Sequence, residues 1–157
     1  MTITEFIRLV QAEPAQGTRL GRYTHRLGPP VANRDLVRLR NTRAVPEDLL
    51  GVVEKVNGIH LWANQETGTS YFGISPAEAW VPAGVAMYGS LDAIPLPTTW
   101  LAISYDVDGA SFIVLDTEDG AYYLMDSCGP DKTTQIAHDA ASLLDWIWHH
   151  RRCPGAE

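Results

Sequence analysis

Apolar residues in the first part of the chain recur at the spacing of a helix with one buried face. Within residues 2–12 they stand at positions 3, 6, 7 and 10, which is the i, i+3, i+4, i+7 pattern of an amphipathic helix. Thr2 and Glu5 lie three positions apart at its start, an arrangement typical of a capping box. We therefore predict that the chain opens with a helix.

Two later segments also predict helices. One begins at Pro46, carries two acidic residues in its first turn and stops at Asn57-Gly58; proline and acidic residues suit a helix start, and Asn-Gly suits a stop. The other covers residues 134–150 and has a stripe of leucine, isoleucine and tryptophan on one face. Residues 35–40 fit a short helix and a short strand equally well.

Elsewhere the apolar period shortens to that of strands. Residues 59–62 and 69–74 flank a polar loop and predict a hairpin. Three further segments are separated by Asp-Gly pairs, which are strong hairpin signals and indicate an antiparallel meander. These three segments are 100–105, 111–116 and 121–126, with the pairs at 108–109 and 119–120.

Strands that follow one another without intervening helices are typical of an α+β domain. We predict a single domain over residues 1–157, in which the hairpin and the three-strand meander form an antiparallel sheet packed by N-terminal helices and a C-terminal helix. Residues 13–34 and 75–98 are rich in proline and glycine and are predicted to be loops, the second with a helical turn at 76–80. A long connection in a small domain is often functional.

Charge is distributed unevenly along the chain, whose net charge is −7. Residues 1–55 hold nine basic residues against six acidic ones, whereas residues 56–148 hold only Lys132 against twelve acids, a net of −11. A carboxylate-rich surface repels nucleic acid and attracts a basic partner, whose association it speeds. On charge alone, the simpler interpretation is that the acids keep the protein soluble.

The basic segment, residues 19–43, would instead suit a negatively charged partner such as nucleic acid. Its arginines are scattered, however, and Tyr23 is its one aromatic residue. Nucleic-acid-binding surfaces cluster their basic residues and interleave aromatic ones. We therefore predict no nucleic-acid partner.

Five tryptophans are many for 157 residues. Trp100 and Trp148 are predicted to pack in the core, whereas Trp80 lies in the proline-rich connection among acidic residues. Exposed aromatic residues ringed by acids make good binding anchors, so we predict that Trp80 is partly exposed and contacts a partner. The predicted contact surface consists of Glu66, Glu78, Trp80, Tyr88, Asp92, Asp106 and Asp108.

Motifs of common enzyme classes are absent from the sequence: there is no nucleophile elbow, phosphate loop, dinucleotide fingerprint or zinc-protease helix. A cysteine enzyme would need Cys128 next to a base such as His138 or His60, and a loop residue without a catalytic role is the interpretation that we favour. Cys153 and His149 supply at most half of a zinc site. We predict no catalytic residue, no metal and no cofactor.

Three features of the sequence bear on its location. No run of about 18 uncharged apolar residues predicts a membrane helix, and the first residues lack the pattern of a secretory signal. Two cysteines are too few for a disulfide framework. We therefore expect a cytoplasmic protein with free thiols, no membrane association, and a monomeric or weakly dimeric state.

Several segments occur in an order that resembles a known family. They are the helix ending in Asn57-Gly58, the hairpin IHLW…SYFGI, the strand and turn WLAISYDVDG, the paired strands SFIVLDTEDGAYYLMD and the closing helix IAHDAASLLDWI. In order and spacing they resemble the SUKH superfamily, the group of the Smi/Knr-type proteins. Residues 46–150 would then form the SUKH-like core, and residues 1–45 an N-terminal extension.

The resemblance implies a non-enzymatic protein-binding domain, because many bacterial SUKH proteins are immunity proteins that bind a polymorphic toxin, often a nuclease or deaminase, and block its site. A nuclease presents a basic surface to its substrate, so the acidic part of this chain has the sign that an inhibitor needs. The expected partner is a cognate toxin or another basic protein. The alternatives are a regulatory or scaffolding domain with a different partner and, less favoured, a small enzyme using Cys128.

Overall fold

The first helix, α1, covers Ile3–Ala12 in the computed structural model, which describes residues 1–42, 44–70, 72–89, 96–104, 111–126 and 134–156. Its capping box is the predicted one: the Glu5 N–H donates to Thr2 Oγ1 at 3.2 Å, and the Glu5 carboxylate accepts from the Thr2 N–H at 2.7 Å. These bonds satisfy backbone donors that a helix start leaves without partners. Phe6 and Val10 are buried on its inner face.

Residues 13–34, predicted to be a loop, instead contain a β-hairpin. Strand β1 covers Gln16–Thr18 and strand β2 covers Gly21–Leu27, and the two pair antiparallel. In β2, Tyr23 and the His25 side chain are buried, and Arg22 and Arg26 on either side of them are exposed. The prediction was wrong because a histidine occupies an inward position, which hides the strand alternation.

Two helices follow the hairpin. Helix α2 covers Asn33–Thr42, which settles the ambiguity of residues 35–40, and α3 covers Glu47–Val53. Helix α3 begins directly after Pro46, as predicted, but ends before Asn57-Gly58. The Asn57 side chain has another role: its Oδ1 accepts from the Ala77 N–H at 2.7 Å and holds the next connection in place.

The predicted hairpin is confirmed as strands β3, Ile59–Asn64, and β4, Phe72–Ile74. They complete a four-stranded antiparallel sheet in the order β1-β2-β3-β4. Gly73 has φ +144°, and a Cβ there would lie 1.7 Å from the Ile59 carbonyl oxygen. No other residue fits this close approach of the two strands.

The connection predicted to be irregular contains three short elements. A 3₁₀ turn, Ala77–Ala79, matches the predicted helical turn. It is followed by strand β5, Val81–Pro82, and by helix α4, Ala83–Tyr88, which ends at Gly89 with φ +71°. Glycine takes this left-handed conformation without strain, which explains the helix stop.

The second sheet has five antiparallel strands in the order β5-β6-β7-β8-β9. Its meander strands were predicted, and the Asp119-Gly120 turn is confirmed by φ +76° at Gly120; the turn predicted at 108–109 lies outside the described residues. The four strands are β6, Trp100–Ala102, β7, Ser111–Asp116, β8, Tyr122–Asp126, and β9, Thr134–Ala137.

Strand β9 was predicted to be the first turns of the last helix. Helix α5 instead covers Ala140–His150, because Asp139 caps it: its carboxylate accepts from the Ser142 N–H at 2.7 Å. The hairpin and the meander, predicted to share one sheet, belong to two separate sheets. The Ser75 N–H, next to β4, donates to the Ile103 carbonyl next to β6 at 2.9 Å and links them.

Helix α5 packs against α1 and α3, and its apolar face enters one hydrophobic core with residues from both sheets. This arrangement confirms the α+β class. The first 45 residues supply Phe6, Val10, Val31, Leu36 and Leu39 to that core. Trp100 and Trp148 are partly buried and pack against the hydrophobic clusters, as predicted.

Tyr122 is fully buried, and among the described residues its Oη is the buried side-chain polar atom without a hydrogen-bond partner. Burial raises the pKa of Tyr122, and the carboxylates of Asp48 and Asp139 raise it further. An unsatisfied buried hydroxyl lowers stability. Removal of the Tyr122 hydroxyl is therefore not expected to lower the free energy of unfolding.

We predict that Tyr122→Phe leaves the free energy of unfolding unchanged or raises it by about 1 kcal/mol, because the lost hydroxyl has no partner. Urea denaturation measures the difference. Tyr123→Phe on the same strand is the matched control, since its hydroxyl donates to Asp119 at 2.8 Å. A loss of more than about 1 kcal/mol in Tyr122→Phe would mean that the hydroxyl is hydrogen-bonded.

Candidate functional site

Two acids of the predicted contact surface, Glu66 and Glu78, lie in the described residues, and the structure places them far apart. Glu78 lies in the 3₁₀ turn and accepts a hydrogen bond from Asn57 Nδ2 at 2.8 Å. Since Asn57 stands just before β3, Glu78 lies near the start of that strand. Glu66 is exposed in the turn just after the end of β3. Because a strand rises about 3.3 Å per residue, the two lie beyond opposite ends of a strand about 17 Å long.

The prediction that Trp80 is partly exposed is wrong. Its side chain is 0% exposed and belongs to the main hydrophobic core. The indole Nε1 donates to the Ser75 carbonyl at 2.8 Å, which satisfies its polar atom inside the core. The 3₁₀ turn directs the ring inward, so Trp80 anchors the connection to the core and offers no surface to a partner.

The other residues of the predicted surface lie partly or wholly outside the described part of the structure. Tyr88 is the last residue of α4, and its side chain lies outside the described part of the structure. Asp92, Asp106 and Asp108 fall outside the described residues, as does Cys128.

Acids from three separate segments converge at one end of the molecule, which we call the acidic pole. Asp48 Oδ2 accepts from the Ala140 N–H at 2.7 Å, so α3 and the start of α5 meet there. A Cβ added at Gly120 would lie 3.9 Å from the Pro46 ring, which brings the β7–β8 turn to the same place. The acidic pole consists of Asp48, Asp116, Glu118, Asp119 and Asp139.

The carboxylates of the acidic pole differ in how freely they face solvent. Asp48, Glu118 and Asp119 are exposed. Asp119 also accepts from Tyr123 Oη at 2.8 Å, and this hydrogen bond raises the pKa of Tyr123. Asp139 lies 3.3 Å from His138 Nε2 and caps α5, and the hydrogen bonds from Ser142 lower the pKa of Asp139.

Arginines of the first 55 residues form ion pairs with acids of the same segment. Arg40 binds Glu47 at 3.2 Å and Glu54 at 3.3 Å, and Arg34 lies 3.6 Å from Asp35. Neither arginine pairs with a carboxylate of the acidic pole in these contacts.

A second polar cluster, which the sequence analysis missed, is built on a bulge in β3. Thr24 pairs with Ala63 and Arg26 pairs with His60, so two residues of β3 stand opposite one residue, His25. The extra residue is Trp62, whose φ of +53° is unusual for a bulky side chain. A bulge redirects side chains and leaves a ladder donor free, and the Trp62 N–H donates to His25 Nδ1 at 3.1 Å.

The His25 imidazole also connects to both ends of the chain. Its Nε2 lies 2.7 Å from Glu13 Oε2, and since Nδ1 accepts the hydrogen bond from the Trp62 N–H, Nε2 carries the hydrogen of the neutral ring. Glu13 in turn binds the guanidinium of Arg151 through two bonds of 2.8 and 2.9 Å. Such paired charged hydrogen bonds are strong and fix geometry.

Electrostatics in this cluster follow from burial and from the charged partners. Burial lowers the pKa of His25 more than Glu13 raises it. Burial acts to raise the pKa of Glu13, but hydrogen bonds from Arg151 and His25 together lower it. The Arg151 guanidinium also stacks 3.3 Å above the Trp148 ring and donates to the Trp148 carbonyl.

A cleft of about 310 Å³ opens beside this cluster and is lined in part by Glu13, Trp62, Arg151 and Cys153. Cys153 is buried against Tyr23 and Trp62. Burial raises the pKa of the Cys153 thiol, and Glu13 raises it further. A protonated thiol is a poor nucleophile and a poor metal ligand.

The chemistry of the cluster is that of a structural clasp. Both nitrogens of His25 are engaged, so neither is available as a general base for a bound substrate. Across the described residues, no group of three or more histidine, cysteine or carboxylate side chains could hold a metal ion. The arrangement ties Glu13, β2, β3 and the end of α5 together.

Comparisons with known proteins give no match: neither a protein-family model nor a curated protein matches the chain. The resemblance to the SUKH superfamily therefore stays a prediction from the sequence. In the described part of the chain, no helix combines the length and the apolar character needed to cross a membrane.

We predict that Glu13→Gln lowers the free energy of unfolding by about 1–3 kcal/mol, because Arg151 and His25 lose a charged acceptor in a partly buried place. Urea denaturation at pH 7.5 measures the loss. Glu66→Gln is the matched control, since it makes the same chemical change on an exposed turn. If the two substitutions had equal effects, the contacts of Glu13 with His25 and Arg151 would not stabilise the fold as proposed.

Proposed function

We propose that this chain is a non-enzymatic protein-binding domain that acts as an immunity protein, and that it neutralises a basic, nuclease-type toxin by binding it. The observation that carries the proposal is the separation of charge. Residues 56–148 carry a net charge of −11, and exposed carboxylates from distant segments meet at the acidic pole.

The sign of this surface supports a basic partner. A nuclease must hold a phosphate backbone with arginine and lysine side chains. Carboxylates can occupy those side chains in place of phosphate, which blocks the substrate path without any catalytic step. The charge also raises the rate of encounter, which matters for an inhibitor that must act before the toxin does.

The placement of the arginines supports the same proposal. Arg40 forms ion pairs with Glu47 and Glu54 within the N-terminal segment. Arg151 is held by Glu13 at the clasp, where its bidentate geometry commits it to that carboxylate. These cations are therefore committed elsewhere, and Glu118 and Asp119 project from the β7–β8 turn with negative charge exposed to solvent.

The contact surface predicted from the sequence remains part of the proposal in a revised form. Glu66 and Glu78 are exposed carboxylates that can contribute to long-range attraction. Because they lie beyond opposite ends of β3, they do not form one patch with each other. We propose that the acidic pole makes the central contact and that Trp80 makes none.

The first experiment is co-purification with the product of an adjacent toxin-like gene, followed by an assay of the toxin's activity with and without this chain. Stoichiometric inhibition supports an immunity protein. A complex with a partner that has no toxic activity supports the regulatory or scaffolding alternative. Turnover by the chain alone that Cys128→Ser abolishes would support the enzyme alternative and contradict the proposal.

We predict that Glu118→Gln combined with Asp119→Asn slows association with the toxin several-fold at low ionic strength, because two charges leave the acidic pole. The amide of Asp119→Asn keeps one oxygen to accept from the Ala121 N–H, and its NH2 group can donate to Tyr123 Oη. Stopped-flow or surface-based kinetics at about 0.05 and 0.5 M salt measure the rate, and the difference should disappear at high salt.

The matched control removes the same charge elsewhere, with Glu66→Gln combined with Glu78→Gln. We expect a smaller effect, since long-range attraction falls but the central contact stays. Equal effects of the two pairs would mean that net charge alone matters. A larger effect of the control pair would move the contact away from the acidic pole, and no salt dependence in either pair would refute the electrostatic proposal.

A further inference from the structure

The segment that follows α5, residues 151–156, lies along the β1–β2 hairpin, and we call it the strap. Thr18 Oγ1 donates to the Pro154 carbonyl at 2.9 Å. A Cβ added at Gly155 would lie 2.9 Å from Leu20 Cγ, so the strap passes directly over the hairpin turn. With Cys153 buried against Tyr23 of β2 and Trp62 of β3, the strap covers the part of the sheet face that these two side chains form.

The strap is held at its start by a chain of four groups. The Trp62 N–H donates to His25 Nδ1, His25 Nε2–H donates to Glu13, and Glu13 accepts two bonds from Arg151. Cys153, two residues further on, is buried against Trp62 and Tyr23. The position of the strap thus depends on the bulge at Trp62, and the bulge depends on an acceptor at His25 Nδ1.

We propose that the strap is a pH-dependent cover of the sheet face at Tyr23 and Trp62, which is released when His25 takes up a proton at Nδ1. A protonated Nδ1 is a donor and faces the Trp62 N–H, which is also a donor. The backbone N–H then loses its acceptor, and the left-handed conformation of Trp62 loses the bond that holds it. Cys153, which packs on that indole, is released with it.

The groups that face His25 decide the direction of the change. Glu13 favours the protonated ring, whereas burial between the indoles of Trp62 and Trp148 and the charge of Arg151 oppose it. Burial dominates and lowers the pKa of His25 below its ordinary value. The neutral ring therefore contributes stability that is fully present above the ordinary pKa and is lost as the pH falls from that value through the lowered pKa of the folded state.

Release of the strap would expose the side chains of Tyr23 and Trp62, which are buried while Cys153 packs on them. The inference stands apart from the proposed function, because it concerns the hairpin and not the acidic pole. Its test therefore needs no toxin.

The test measures how fast Cys153 reacts with a dithiodipyridine reagent, in a Cys128→Ser background, between pH 7.5 and 5. Each rate is divided by that of the same chain unfolded in urea, which removes the intrinsic pH dependence of the thiol. We expect the protection of Cys153 to fall by up to about tenfold per pH unit below pH 6.5, whereas the amide protons of β7 stay protected.

His25→Asn tests the role of the imidazole, because the asparagine Oδ1 can replace Nδ1 as acceptor and cannot be protonated. We expect this variant to protect Cys153 at pH 7.5 and to lose the pH dependence. The matched control is His60→Asn, since burial also lowers the pKa of His60 on the neighbouring strand. We expect His60→Asn to behave like the unsubstituted chain.

If His25→Asn does not fold, the exchange rate of the Trp62 amide proton in the unsubstituted chain replaces it, measured by NMR at the same pH values. Faster exchange at Trp62 than in β7 as the pH falls supports local release. A pH dependence that survives in His25→Asn, or a Trp62 amide that exchanges together with β7, would overturn the proposal.

Discussion

The apolar face of α5 can be buried only if both sheets and the first helix close around it, and this packing governs the rest of the structure. Leu143, Leu144 and Ile147 are at most 2% exposed. The flanking tryptophans extend the contact: Trp148 meets Phe6 of α1 edge-on at 6.0 Å, and Trp146 stacks on Phe72 of β4 at 6.0 Å. Aromatic pairs of this kind add directional preference to burial.

The same packing creates the clasp. Once α5 lies across α1, Arg151 follows directly after α5 and Glu13 directly after α1, so the two meet although 138 residues separate them. His25 and the bulge at Trp62 complete the contact from the sheet. A polar cluster thus connects elements whose positions are set by hydrophobic burial.

Elements with local signals were predictable from the sequence. The capping box of α1 depends on Thr2 and Glu5 alone, and the β7–β8 turn depends on the Asp119-Gly120 pair. Such signals act within a few residues and need no information about the rest of the fold. The SUKH resemblance drew on the same local patterns.

Predictions failed where a distant contact outweighed the local pattern. Residues 134–137 continue the apolar stripe of the last helix, but pairing with β8 makes them a strand. Trp80 lies in a polar, proline-rich segment, yet a hydrogen bond to Ser75 and the core around it bury the ring. The acidic pole and the clasp also escaped prediction, because their members come from segments far apart in sequence.

Helix α5 follows both sheets along the chain yet fills the core between them, which has a consequence for synthesis in the cell. A chain emerging from the ribosome presents the two sheets and the first four helices before the residues of α5 that fill the centre. Domains fold as units during translation, and this unit lacks Leu143, Leu144 and Ile147 until α5 has emerged. The two sheets therefore cannot complete their shared core before α5 has emerged.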